Sequence, residues 1–257
     1  MKRQLFIIGL IQIALTYIAQ AQVETKYISD AKSSQLVEKL KDISQSVKTI
    51  KMPSFDVKTL LTEDDSFVRT DAPYRIGKCI DVSLSFEDGV WKKYDEGIVW
   101  VLSIESKNAK SLNFIFDGFS LPSGAFLEIM NNDGTVLYGP VKATQIPKSG
   151  YFLTDVIPGD GATIFLYEPN NVRGQSKLTI KRVIHGYRDL VGQLGFGASS
   201  PCNIDIDCYP EYKEESKGVG LLLYTSGGYL NAGSGSLLMT TDKSFKPYFL
   251  TAFHNID

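Results

Sequence analysis

Between residues 72 and 191 the chain is cut into short apolar runs by turn-forming residues, and that punctuation restricts it to a β fold. The run 98–104 reads Ile-Val-Trp-Val-Leu-Ser-Ile, without glycine or proline. Runs at 112–116, 126–130, 163–167 and 178–184 are of the same kind. β-Branched and aromatic side chains suit a pleated surface, and five to seven residues is a strand length rather than a helix length. Turn signals separate the runs: Asn132-Asp133-Gly134, Pro158-Gly159-Asp160-Gly161 and Glu168-Pro169-Asn170-Asn171. These residues tolerate or impose the dihedrals of tight turns. Many short strands joined locally predict an all-β, jelly-roll-like antiparallel sandwich.

The segment before the sandwich has a different pattern. Leu36, Leu40, Ile43, Val47 and Ile50 recur at alternating steps of four and three. That is one apolar stripe on a short N-terminal helix, with Ser33 and Ser34 before it and Met52-Pro53 ending it. Earlier still, Lys2 and Arg3 precede an apolar run over 5–18, and Ala19-Gln20-Ala21 follows it. A basic start, an apolar run too short for a membrane span of about 20 residues and a small-x-small site make a secretory signal peptide. Cleavage is expected between Ala21 and Gln22, leaving a secreted protein, extracellular or periplasmic, with no membrane attachment.

Residues 192–200 are rich in Gly and Ser and read as an exposed linker. Beyond it, residues 219–225, 235–239 and 247–251 are strand candidates, in the order of the start of a β-barrel. The expected organisation is a signal peptide at 1–21, a helix and extended linker at 22–71, the sandwich at 72–191, the linker at 192–200 and a second β region at 201–257. With 27 basic and 29 acidic residues the formal net charge is −2, so no basic excess calls for a nucleic-acid partner. The run Glu63-Asp64-Asp65 and the pair Glu214-Glu215 read as solvated loop charges.

The chain has three cysteines, Cys79, Cys202 and Cys208. An oxidising compartment favours pairing, and an odd number leaves one without an intramolecular partner. Cys202 and Cys208 are the disulfide candidates, either with each other or with partners outside these residues. Cys79 reads as a buried or stray thiol. Asn203, Asp205 and Asp207 alternate like the first half of an EF-hand loop, but the required glycine and the glutamate at the twelfth position are absent. No metal or cofactor site is expected. Gly233-Ser234-Gly235-Ser236 does not fit a nucleophile elbow and reads as a glycine-rich bend. His185 closes a strand and reads as structural.

His254 is the candidate catalytic residue. It follows a hydrophobic strand in Tyr248-Phe249-Leu250-Thr251-Ala252-Phe253-His254, with Gly235-Ser236-Leu237 upstream. Trypsin-like serine proteases carry Thr-Ala-x-His after a strand and Gly-Ser-Leu before it. Cys202-Asn203-Ile204-Asp205-Ile206-Asp207-Cys208 sharpens the resemblance to the lysyl endopeptidase branch of the bacterial trypsin-like proteases. Further pieces, Ser111-Leu112-Asn113, Leu121-Pro122-Ser123-Gly124-Ala125, Ile157-Pro158-Gly159-Asp160 and His185-Gly186-Tyr187-Arg188, resemble the propeptide region of such precursors. The resemblance runs from about residue 100 onward.

The resemblance implies a secreted endopeptidase acting on protein or peptide substrates, with no cofactor. In it His254 is the general base, and residues 201–257 begin an incomplete trypsin-like β-barrel. It implies that the triad aspartate and serine lie beyond residue 257; Asp257 is not assigned that role. These 257 residues alone are expected to be inactive. It also implies partners for Cys202 and Cys208 further along the protease domain. One departure stands out. The family joins a cysteine shortly before Gly-Ser-Leu to one directly after the histidine. Here those positions are Gly233 and Asn255, which forgoes roughly 3 kcal/mol of loop-closure stabilisation. The competing reading is a secreted β-sandwich binding module with a degenerate, non-catalytic tail.

Overall fold

A computed structural model of the chain describes residues 23–28, 40, 42–44, 47–66, 72–94, 96–189, 206–242, 244 and 246–256. The signal-peptide positions with Ala21 and Gln22, the linker at 192–200, Cys202 and Asp257 lie outside the described residues, as does Leu36.

The protein is all-β, built on two antiparallel-dominated sheets. In chain order the strands are β1 (Thr25–Tyr27), β2 (Thr49–Lys51), β3 (Tyr74–Leu84), β4 (Val90–Tyr94), β5 (Gly97–Glu105), β6 (Ser111–Ser120), β7 (Phe126–Asn131), β8 (Val136–Lys142), β9 (Phe152–Leu153), β10 (Ile157–Pro158), β11 (Gly161–Pro169), β12 (Lys177–Gly186), β13 (Val219–Ser226), β14 (Tyr229–Leu238) and β15 (Tyr248–Thr251). The first sheet runs β1-β8-β7-β11-β5-β2, with β4 also on β5. The second runs β10-β6-β12-β3-β14-β13, with β9 on β6 and β15 on β14.

Alternation along the strands builds the core between the sheets. Trp100, Leu102 and Ile104 of β5 and Ala162, Ile164 and Leu166 of β11 meet Leu112, Phe114 and Phe116 of β6 and Leu178 and Ile180 of β12. Burying each large side chain contributes about 1.5–3 kcal/mol. β12 carries a bulge between Ile180 and Arg182. The extra residue lets Ile180 and Val183 both face this core, while Ile184 turns to the other face with Ile76 and Ile115. The intervening β5 positions, Val99 and Val101, are buried too, with Phe165, Met130 and Leu137 under Leu40 and Val47. A strand covered on both faces reads as a continuous apolar run, and this is why 98–104 shows no polar alternation.

The segment before residue 72 is more structured than the sequence pattern predicts. Leu40 and Val47 are buried, as a helical stripe would have them. Ile50, the last position of that stripe, instead lies in β2, which pairs in parallel with β5. β1 extends the other edge of the same sheet through β8. A helix the periodicity missed, α1, spans Val57–Ser66 and buries no residue fully. Asp56 caps it: its carboxylate accepts the Lys58 and Thr59 amides and the Thr59 hydroxyl. Those Thr59 bonds hold the Asp56 carboxyl below its ordinary range.

Asp64 corrects the reading of the acidic run as solvated. Its side chain is only 9 % exposed. It accepts a hydrogen bond from the Tyr187 hydroxyl at 2.9 Å and one from Arg188 at 3.1 Å, and Arg75 stands 3.7 Å away. α1 is thereby fastened to β3 and to the end of β12. Burial, then the bond to Asp64, pushes the Tyr187 phenol pKa up. Glu214 is exposed as expected, in the short helix α2 (Lys213–Ser216), where it pairs with Lys217.

Candidate functional site: the histidine turn

β13 and β14 form a hairpin whose two-residue loop is Gly227-Gly228, between the paired Ser226 and Tyr229. Both glycines have positive φ, +58° and +80°. Such a loop matches the natural strand twist and admits few other residues. β15 then pairs with the far half of β14, from Gly235↔Thr251 to Leu238↔Tyr248. The result is a three-stranded antiparallel half-barrel. The glycines of 233–236 lie within β14, not in a bend. A Cβ on Gly235 would fall 2.5 Å from the Leu250 carbonyl oxygen and would clash with the Phe249 ring, so glycine is what lets β15 approach.

After β15 the chain extends through Ala252 and tightens into a 3-10 turn, Phe253–Asn255, with His254 at its centre. The Asn255 and Ile256 amides close it on the Ala252 and Phe253 carbonyls. Side chains then tie the turn to the hairpin. The Tyr224 hydroxyl of β13 lies 3.1 Å from the His254 carbonyl oxygen and 3.2 Å from Asn255 Oδ1. Asn255 Nδ2 donates to Thr251 Oγ1 at 2.8 Å, and Thr251 donates in turn to the Ser234 carbonyl at 2.8 Å. Asn255 is 5 % exposed. A Cβ on Gly233 would come within 2.5 Å of its Nδ2. Asn255 therefore fills the space that Gly233 leaves open, and the two positions singled out above as departures lie against each other.

This arrangement holds the His254 carbonyl through Tyr224 and leaves the residue half-buried. A histidine held on a fixed turn is a side chain able to pass a proton to and from a reacting group. Sequence motifs located His254 but not its supports. Tyr224 carries no sequence signal and Asn255 shows only as a departure from the family pattern, because a Tyr–Asn contact thirty-one residues apart leaves no local pattern. Thr251 was visible as part of Thr-Ala-x-His.

The other singled-out residues lie elsewhere. Cys208 is an exposed free thiol in the 3-10 turn Ile206–Cys208. Cys79, on β3, is free and half-buried, and burial raises its thiol pKa. His185 is 1 % exposed, bonded through Nδ1 to Ser106 Oγ at 2.8 Å and edge-on to Phe55. Burial pushes its imidazole pKa down. It is structural, as the sequence indicates. Among the described residues no group of three or more His, Cys, Asp and Glu is placed to hold a metal, and no helix is long and apolar enough to cross a membrane.

Around the histidine turn the surface is strongly apolar. Leu237, Leu238, Met239, Tyr248, Phe249, Leu250, Phe253 and Ile256 are all exposed. No solved structure matches the chain. A family model described as lysyl endopeptidase, C-terminal domain, matches residues 196–257, so that the stretch holding the half-barrel and His254 is similar to a protease domain.

Proposed function

We propose that the chain is the amino-terminal part of a secreted trypsin-like serine endopeptidase precursor. Residues 1–21 are its signal peptide, 72–191 its propeptide-like sandwich, and 201–257 the start of its protease domain. His254 is the general base. It takes the proton of a serine hydroxyl as that hydroxyl attacks a peptide carbonyl, then gives it to the leaving amine. The aspartate that orients the imidazole and the nucleophilic serine are not among the residues assigned here. The observation that carries this reading is the histidine turn itself, placed after β15 and braced by Thr251 and Asn255 within the stretch that resembles lysyl endopeptidase.

Substrates are proteins or peptides, and the chemistry needs no cofactor. The 257-residue chain by itself should show no peptide hydrolysis above background, because no serine in it stands in a nucleophile motif. The test uses the protein recovered from its natural host. It should cleave peptides, and a serine-directed fluorophosphonate should block the cleavage and label the protein. The 257-residue chain should take no label. A natural product that neither cleaves nor takes the label would overturn the reading.

A further inference from the structure

The chain has two tryptophans, and the fold uses them differently. Trp100 is fully buried in the core, whereas Trp91 is half-buried on β4. β4 pairs with the first half of β5, which sets Trp91 opposite Trp100 and Lys93 opposite Ile98. Side chains two apart on a strand share a face, so Trp91, Lys93 and Ile98 stand on one face. Phe86, in the connection before β4, supports the Trp91 ring. Their ring centres are 5.3 Å apart, and Phe86 stands edge-on to Trp100 at the same separation. The aromatic surface is thereby set in advance of any ligand.

Two adjoining hollows open beside it, of about 280 and 300 Å³, and Trp91, Ile98 and Arg173 line both. Lys93 and Asn170 complete the first, and Phe86 and Ser176 belong to the second. The loop carrying Arg173 and Ser176 is shaped from below by Glu168. Its fully buried carboxylate accepts the Gly174 amide at 2.7 Å and the Ser176 amide at 2.8 Å, and Gly174 takes a φ of +77°. Ser176 is 7 % exposed, and its hydroxyl is buried without a hydrogen-bond partner. A buried polar group left unpaired is costly and calls for an explanation. Arg173 and Lys93 are exposed, and among the described residues neither makes an ion pair. Lys92 is engaged elsewhere, donating to the Ile43 carbonyl.

These features together specify a ligand. The rings ask for a flat apolar face, the cations for an anion, and the Ser176 hydroxyl and Asn170 amide for polar partners. A pyranose bearing a carboxylate supplies all three. Its C–H face packs against the electron-rich face of an indole, its carboxylate suits the guanidinium fork, and its hydroxyls can pair with the serine and the amide. Each hollow is at the small end of the range for ligand pockets, about 300–1,000 Å³, and two side by side suit consecutive sugar rings. A benzoate would meet the rings and the cations but leave the serine unpaired. An acidic peptide would meet the cations but offers no flat C–H face to Trp91.

We propose that the surface of the sandwich between Trp91 and Arg173 is a binding site for an acidic saccharide, a short run of uronate sugars. The site belongs to the sandwich and stands apart from His254; its test involves no peptide hydrolysis, so the two readings fail separately.

The experiment titrates the 257-residue chain with tri-galacturonic acid, followed by calorimetry and by tryptophan fluorescence. Trp100 is sealed in the core, so the fluorescence change reports Trp91. Binding should appear with a Kd below about 1 mM. Maltotriose, a neutral trisaccharide, should bind at least about tenfold more weakly, as should benzoate and a hexaglutamate peptide. Arg173→Ala should weaken tri-galacturonate binding about tenfold and Ser176→Ala about fivefold, with the amide protection of β5 and β11 at parental levels in both. Absence of heat and of fluorescence change up to about 10 mM sugar would overturn the proposal. So would equal affinity for maltotriose, benzoate or the peptide, and so would parental affinity in either variant.

Discussion

The sandwich and the half-barrel use the same local chemistry and bury it very differently. In the sandwich, β5 and β11 are covered on both faces, and side chains as large as Trp100 and Phe114 are fully buried. In β13–β15 the only buried apolar side chains are Leu230 and Ala232, both on the stretch of β14 that pairs with β3. Among the described residues, thirteen of the seventeen exposed large hydrophobic ones lie from Ile206 to Ile256. A clean strand pattern therefore predicts a strand but not a core; the core comes from what lies across the face. Exposed apolar residues gathered in one region are the kind of surface that interaction sites present. In the sandwich, stability and order come from packing. Around His254 they come from hydrogen bonds and from glycines that permit close approach.

The largest test of that contrast is truncation of matched apolar residues. Phe114→Ala in the sandwich should cost about 3–5 kcal/mol in urea unfolding. Phe249→Ala on the exposed face of β15 should stay within about 0.5 kcal/mol. Equal costs would remove the distinction between the two regions. Next in size is Asp64→Asn, which leaves Arg188, Arg75 and the Tyr187 hydroxyl without their carboxylate. The expected loss is about 2 kcal/mol, with protease cleavage within α1 accelerated. Unchanged proteolysis would mean that Asp64 does not fasten the helix.

Gly233→Ala probes the histidine side of the comparison. The added methyl displaces Asn255, at a cost of about 1–2 kcal/mol, and should shift the ring resonances of His254 while leaving those of His185 alone. With only two histidines in the chain, the two signals separate the two regions directly. Matching shifts at both rings would place the disturbance in the sandwich instead.

The smallest effect is on pH. Burial depresses the imidazole pKa of His185 in the folded protein, so the unfolded chain binds the extra proton more readily. Stability should be fully present above the unfolded value of about 6.5 and should fall as pH drops from there toward the depressed folded value. His185→Gln should flatten that part of the profile. A parental slope in this variant would assign the acid sensitivity to carboxylates.

Much of the sandwich was legible because its central strands carry strong signals: β5, β6, β7, β11 and β12 each follow from an apolar run between turn residues. The edges were not. β8 contains Gly139-Pro140, which reads as a breaker, yet Gly139 adopts a φ of +119° and its amide bonds the Glu24 carbonyl of the β1 segment. β1 and β2 are three residues each, too short to show a period. α1 escaped notice because its anchor is one charged residue, Asp64, rather than an apolar stripe. At the site, Thr251 and His254 were visible as a motif, while Asn255 showed only as a departure from a pattern. Its fit over Gly233 depends on the register of β14 against the turn, which no local sequence encodes.

The central claim is that His254 is a general base held on a braced turn, and substitution at that residue tests it most directly. In the protein recovered from its natural host, His254→Ala should lower kcat/KM for peptide hydrolysis by about a thousandfold or more, with the amide protection of β5 and β11 unchanged. Activity equal to that of the parent, with the substitution verified and the sandwich intact, would contradict the account.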